Sequence, residues 1–198
     1  MKKLKKLLAV IMIIALMIPC TAFAATSSPT TTKISKASIK VSGTYTYNET
    51  MQTPTFKVTY DGKTLKKGTD YKVTACKGQK AGYHKITIQG IGKFTGTKTV
   101  YYQINKATQS DVKVTTTYKT KKASTFAKKA KSYSIKVTGV KGGAKVTYST
   151  NSKKITVKNG KITLAKGIKK GTYKVTVKIG STANRKPTTK TLTITVKK

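Results

Sequence analysis

From about residue 38 to the C-terminus the chain is written in short runs, with β-branched or aromatic residues on one parity and Lys or Thr on the other. A period of two places one set of side chains on each face of an extended backbone, so this pattern specifies strands with a buried face and a wet face, and it excludes amphipathic helices as the main element. One series covers residues 38–41, 55–60, 70–75, 85–88 and 98–104. A second covers 112–114, 133–137, 145–148, 155–157, 161–164, 173–179 and 192–196. Asp61-Gly62 and Asn159-Gly160 stand directly after strand runs. Such pairs accept the positive φ that a tight hairpin turn demands at both central residues. Residues 119–131 break the alternation. Their Lys and Ala content would suit a helical turn, but Thr, Ser and clustered like charges favour a basic loop. Five to seven short strands per series, separated by turn signals, predict an all-β chain of two tandem antiparallel β-sandwich modules. The first spans 38–105 and the second 106–198, with the joint expected over the polar residues 105–110.

Ahead of the strands, residues 1–24 read as a secretory signal peptide, and 25–37 as a linker. Lys2, Lys3, Lys5 and Lys6 form a basic start, Leu7 to Ile18 an apolar stretch, and Ala22-Phe23-Ala24 a small-x-small cleavage site. About a dozen apolar residues are too few for the roughly 20 that span a bilayer, and Pro19 ends the run, so no membrane span is expected. Pro19 before Cys20 also argues against lipidation, and the terminal Val196-Lys197-Lys198 carries no wall-sorting pattern. Cleavage would leave Cys76 as the one cysteine. An exported chain of this kind is stabilised by burial and sheet pairing, without an internal disulfide.

Charge narrows the function. The 198 residues hold 42 Lys and Arg against 4 Asp and Glu, a net charge of +38; the four leader lysines account for four of these, leaving +34. With one His, two Cys and four acids, the side chains that most enzymes use for proton transfer, nucleophilic attack or metal binding are nearly absent. No enzymatic activity and no cofactor are expected. All the cations but Arg185 are lysines. Lysine acts as a hydrated point charge, whereas planar recognition of phosphate or bases calls for arginine, so diffuse electrostatic attraction is expected. Solubility alone does not explain the shortage of acids, because mixed charges would dissolve the chain without the self-repulsion. On strand parity, Lys136, Lys145, Lys174 and Lys178 are candidate contacts of a basic sheet face, and Lys174 and Lys178 belong to one stripe.

The remaining candidates have plainer readings. His84 shares parity with Ile86 and Ile88, and lacks companions for a four-ligand zinc site, so packing is expected. Cys76 lies on the parity opposite Tyr71 and Val73; exposure beside Lys72, Lys77 and Lys80 would make it either a reactive thiolate or, as favoured here, an incidental surface thiol. The spacing of Asp61 and Asp70 is compatible with a paired-carboxylate site, yet in turns Asp commonly accepts backbone N–H groups, and that structural use is expected. Glu49 and Asp111 fall in turn or linker contexts. Tyr71, Tyr102, Tyr148 and Tyr173 align with Val and Ile and read as core. Tyr101 points outward with Gln103 and is a candidate for stacking on sugar rings, with Tyr45 and Tyr47 behind it.

Residues 45–104 resemble a repeat module of Gram-positive secreted surface proteins. The resemblance rests on Asp61-Gly62-Lys63-Thr64-Leu65-Lys66-Lys67-Gly68-Thr69-Asp70-Tyr71, on Ala81-Gly82, and on Gly90-Ile91-Gly92-Lys93-Phe94-Thr95-Gly96-Thr97. Residues 133–197 are similar to bacterial immunoglobulin-like domains through Val146-Thr147-Tyr148, Asn159-Gly160-Lys161 and Gly171-Thr172-Tyr173. Tyr45-Thr46-Tyr47-Asn48 departs from the Tyr-Thr-Gly turn common at the start of the first module. The resemblance implies a non-enzymatic surface role as a spacer or ligand-presenting unit. Export, charge and resemblance together lead to a secreted or cell-wall-associated protein that binds anionic wall polymers or acidic glycans. A carbohydrate-binding or adhesin module is the alternative, and extracellular nucleic-acid binding a further one, which lacks base-reading arginines and a recognised motif.

Overall fold

The alternating runs fold as strands, and the computed structural model describes them over residues 30–198. The signal peptide read over 1–24 lies outside the described residues. In the N-terminal half the strands are β1 (Thr32–Lys33), β2 (Ser38–Ser42), β3 (Tyr45–Thr46), β4 (Thr55–Tyr60), β5 (Lys63–Thr64), β6 (Tyr71–Ala75), β7 (Gly82–Gly90), β8 (Phe94–Thr95) and β9 (Thr97–Asn105). One sheet has the order β2-β4-β5 and the other β3-β9-β7-β6, while β1 and β8 form a small parallel pair. The turn between β4 and β5 has φ of 47° at Asp61 and 71° at Gly62, the left-handed values that a tight hairpin requires. Inward residues of both sheets, among them Val58, Ile86, Ile88, Tyr102 and Ile104, meet in one buried cluster.

The C-terminal half holds β10 (Lys113–Thr116), β11 (Lys121–Lys122), β12 (Lys131–Thr138), β13 (Val146–Thr150), β14 (Ile155–Lys158), β15 (Lys161–Leu164), β16 (Gly171–Ile179) and β17 (Thr188–Lys197). The sheet orders are β10-β12-β15-β14 and β11-β17-β16-β13. Asn159 and Gly160 turn β14 into β15 with φ of 48° and 70°. Ile135, Ile155, Ile162 and Leu164 from one sheet face Val175, Val177, Ile179 and Ile194 from the other in a second buried cluster. Strand pairing is antiparallel except at β1 with β8, β3 with β9 and β11 with β17.

Three expectations change. Residues 32–37 are not linker: β1 pairs with β8, and a 3-10 turn over Ile34–Lys36 lowers Ile34 into the first core, where it and Ala37 are fully buried. Residues 119–131 are not simply loop, because β11 and a 3-10 turn over Ala123–Phe126 lie within them. Phe126 is fully buried in the second core and anchors that turn. Cys76, expected on the outer face, packs against the first core instead. A bulge between Val73 and Ala75 inserts Thr74, so that Ala75 faces Thr87 and the following residue returns inward.

The segment after β9 is held closely. The Ala107 N–H donates to Asn184 O at 3.0 Å, and the Lys186 N–H donates to Ala107 O at 2.8 Å. The Ala81 N–H donates to Asn184 Oδ1 at 2.9 Å, tying the β6-β7 connection to the β16-β17 connection. Gln109 is 3% exposed and accepts the Lys141 N–H at 3.1 Å.

Candidate binding faces

Strand parity decides where the lysines point. In β16 the burial alternates from Val175 through Val177 to Ile179, so Lys174 and Lys178 stand on the outer face, about 13 Å apart along one strand. Lys178 lies opposite Thr147 of β13 and Thr189 of β17. Lys145 precedes β13, is exposed, and accepts the Gly180 N–H on its carbonyl at 2.8 Å, which sets it diagonally beside Lys178 on that face. Lys136 is also exposed, but it belongs to β12, in the sheet on the other side of the core. Three of the four candidate lysines therefore share a face with the threonines of β17. The fourth points away from them.

No carboxylate stands among those lysines. Among the described residues, the cations within 4 Å of an acid are Lys141 and Arg185, and both lie where the two halves meet. The single Glu and the single Arg of the chain find each other there: Arg185 Nη2 donates to Glu49 Oε1 at 2.5 Å, and Arg185 Nη1 donates to Thr108 O at 3.1 Å. The Arg185 side chain is 11% exposed, and its guanidinium carbon lies 5.5 Å from the centre of the Tyr47 ring. Lys141 Nζ stands 3.4 Å from Glu49 and 3.8 Å from Asp111. Hydrogen bonding from Arg185, with Lys141 beside it, holds the Glu49 carboxyl below the usual range. A cleft of about 410 Å³ opens over this group, between Tyr47, Lys141, Thr182 and Asn184. Sequence reasoning missed the pairing, since 136 residues separate the partners; the rarity of both residue types was its one visible trace.

The remaining candidates are engaged locally. His84 Nε2 donates to Lys80 O at 2.7 Å, and its ring packs 5.6 Å from that of Tyr102. Asp70 Oδ2 accepts the Lys66 N–H at 2.7 Å and closes the loop before β6, the structural use expected of an Asp in a turn. Asp61 and Asp70 line a common recess of about 300 Å³ with Tyr60, Leu65 and Phe94. No group of three or more His, Cys, Asp or Glu among the described residues is placed to hold a metal ion.

Nine of the eleven tyrosines are packed to some degree. Tyr71 and Tyr102 are buried in the first core, and Tyr148 and Tyr173 pack on the second. Tyr45 meets Tyr102 edge to face at 5.5 Å; its hydroxyl donates to Ser42 O and accepts the Thr55 N–H. Tyr45 and Tyr47 therefore do not serve as a free platform: the first is bolted into the core and the second lies under Arg185. Tyr101 is 67% exposed as expected, and the structure adds Tyr83, 73% exposed, as its companion. The parity of Tyr83, opposite to that of Ile86 and Ile88, was a legible signal for this residue.

No family model matches the chain, and no curated protein matches it. Among solved structures, the full ectodomain (Ig1–Ig3) of mouse nectin-like molecule 4 is similar at 10% identity and a TM-score of 0.33, covering 82% of this chain and 64% of that one. Titin domains A168–A170 are similar at 12% identity and a TM-score of 0.31, covering 81% and 65% respectively. The chain thus spans somewhat under two thirds of each. Both likenesses are distant. No helix among the described residues is long and apolar enough to cross a membrane.

Proposed function

We propose that the mature chain is an exported, non-enzymatic protein of the cell surface or cell wall, built of two tandem immunoglobulin-like modules, whose lysine-rich sheet faces hold anionic wall polymers or acidic glycans. The observation that carries this reading is the segregation of charge. Lys145, Lys174 and Lys178 share one outward sheet face that holds no acid, while Glu49 and Asp111 are gathered at the joint. A polyanion laid on that face meets successive ammonium groups without a competing carboxylate, and binding releases its condensed counterions. The lone arginine is engaged with Glu49 and Thr108, which leaves no guanidinium for reading base edges and disfavours nucleic acid as the specific partner.

Retention of the mature protein on isolated walls, measured across a salt series, tests the reading. Binding should fall steeply toward 1 M salt, where screening shortens to about 3 Å. Because Lys136 points to the other side, Lys145→Gln, Lys174→Gln and Lys178→Gln together should flatten the salt slope by about two, at roughly 0.7 per phosphate contact on a single-stranded polyanion. Adding Lys136→Gln should change it little. Retention that does not respond to salt, or a slope dominated by one lysine, would overturn the electrostatic mechanism.

A further inference from the structure

Tyr83 and Tyr101 are placed together by register. In the β7-β9 ladder Tyr83 lies opposite Gln103 and Lys85 lies opposite Tyr101, so the two rings are diagonal neighbours on one outer face, their Cα atoms roughly 7–8 Å apart. Both rings stand on the continuous β7-β9 ladder of the sheet β3-β9-β7-β6, which sets their spacing, with Tyr83 next to the start of β7. The hydroxyls of Tyr45, Tyr102, Tyr118 and Tyr173 each donate to a backbone carbonyl. The pair of rings on the outer face is set instead among side-chain amide, ammonium and hydroxyl groups. Gln103 and Lys85 flank it, and Thr99 and Thr87, whose hydroxyls stand 2.9 Å apart, continue the same rows.

From this arrangement we infer that the Tyr83-Tyr101 pair is a platform for the pyranose rings of an acidic polysaccharide. The C–H face of a sugar ring lies on an aromatic face, the amide and hydroxyls receive its hydroxyl groups, and Lys85 takes a ring carboxylate. Two features select this occupant. Exposed tyrosines among hydrogen-bonding groups suit a ligand that is apolar on one side and polar at its rim, as a sugar is. A second copy of the chain would bring one strongly positive surface against another, which mutual repulsion opposes. The platform goes beyond the lysine faces of the C-terminal half and stands or falls separately from them.

The mature protein is titrated with polygalacturonate, which has rings and carboxylates, and with inorganic polyphosphate, which has charge alone, each at low salt and at about 1 M salt. Polygalacturonate binding should persist at high salt and weaken at least about tenfold in Tyr83→Ala/Tyr101→Ala, with polyphosphate binding at low salt unaltered. Tyr83→Phe/Tyr101→Phe, which keeps the rings, should retain most of the salt-resistant affinity; matching circular dichroism and melting of all variants controls for folding. Lys85→Gln should weaken polygalacturonate binding at low salt and leave the salt-resistant part. If the parent loses polygalacturonate at high salt, or the alanine variant binds it as the parent does, the platform is refuted and the lysine reading is untouched. Salt-resistant, tyrosine-dependent binding without any polyphosphate binding would support the platform and refute the lysine faces. A dimer of the parent that the alanine variant dissolves would overturn the inference and assign the face to a second copy.

Discussion

Glu49 shows how much one residue can carry in a chain with so few acids. Its backbone adopts φ of 71°, its carbonyl accepts the Gln79 side-chain amide at 2.9 Å, and its carboxylate meets Arg185 and Lys141 from the other half. Because its folded pKa is lowered, its contribution to holding the joint is complete above the usual carboxylate range and is lost as pH falls through the lowered value. Following the Glu49 carboxyl carbon by NMR should show titration below that range in the parent and a return toward it in Arg185→Gln. An ordinary titration in the parent would mean that the pair does not persist in solution. Steric limits are equally local. At Gly139, φ is 74° and an added Cβ would stand 2.1 Å from Asp111 O, so Gly139→Ala should destabilise by about 2 kcal/mol or more in denaturant melts. Gly62→Ala, at φ of 71° with open space around it, should cost about half as much.

Elements followed parity wherever parity was uninterrupted. The run read at 55–60 is β4, the run at 161–164 is β15, and Asn159-Gly160 makes the turn its sequence prescribes, since nothing but local backbone conformation decides these features. Parity failed at the bulge after Val73, because one inserted residue turns every later side chain to the other face and leaves no mark in composition. It also failed for residues 34–37 and 123–126, where a single turn is too short to show a period and its buried anchor is recognised through distant partners. Phe126 gives the measure of that miss. Replacing this fully buried ring by alanine should cost about 3–5 kcal/mol, read as a lowered denaturation midpoint, although it sits among lysines in a stretch that reads as loop. A loss below about 1 kcal/mol would mean that the turn does not anchor the second core.

At the scale of the whole molecule, the lysine faces were legible because outward parity and charge are both local, and Tyr101 was legible for the same reason. Tyr83 carries the same outward parity, but its place beside Tyr101 needed the β7-β9 register, and the Glu49-Arg185 contact needed the relation between halves that no local pattern encodes. That contact bears on how the molecule unfolds. Two buried clusters, one anchored by Ile86 and the other by Phe126, are joined through a polar seam of backbone pairing at Ala107, the Ala81-Asn184 bond and ion pairs whose Glu49 side is solvent-exposed. Pairs to a solvent-exposed carboxylate hold orientation more than they add stability, whereas each apolar cluster supplies its own burial. The two halves should then unfold as separate cooperative units. In native-state hydrogen exchange, Ile86→Ala should lower protection of the core-strand amides of β4, β7 and β9 by roughly one and a half to three and a half orders of magnitude, at about 1.4 kcal/mol per tenfold for a loss of about 2–5 kcal/mol, and leave those of β12, β15, β16 and β17 near their parent values. Phe126→Ala should do the reverse. Equal loss of protection in both halves from either substitution would show that the seam couples the cores into one unit, and that division into two modules does not describe the folding of this chain.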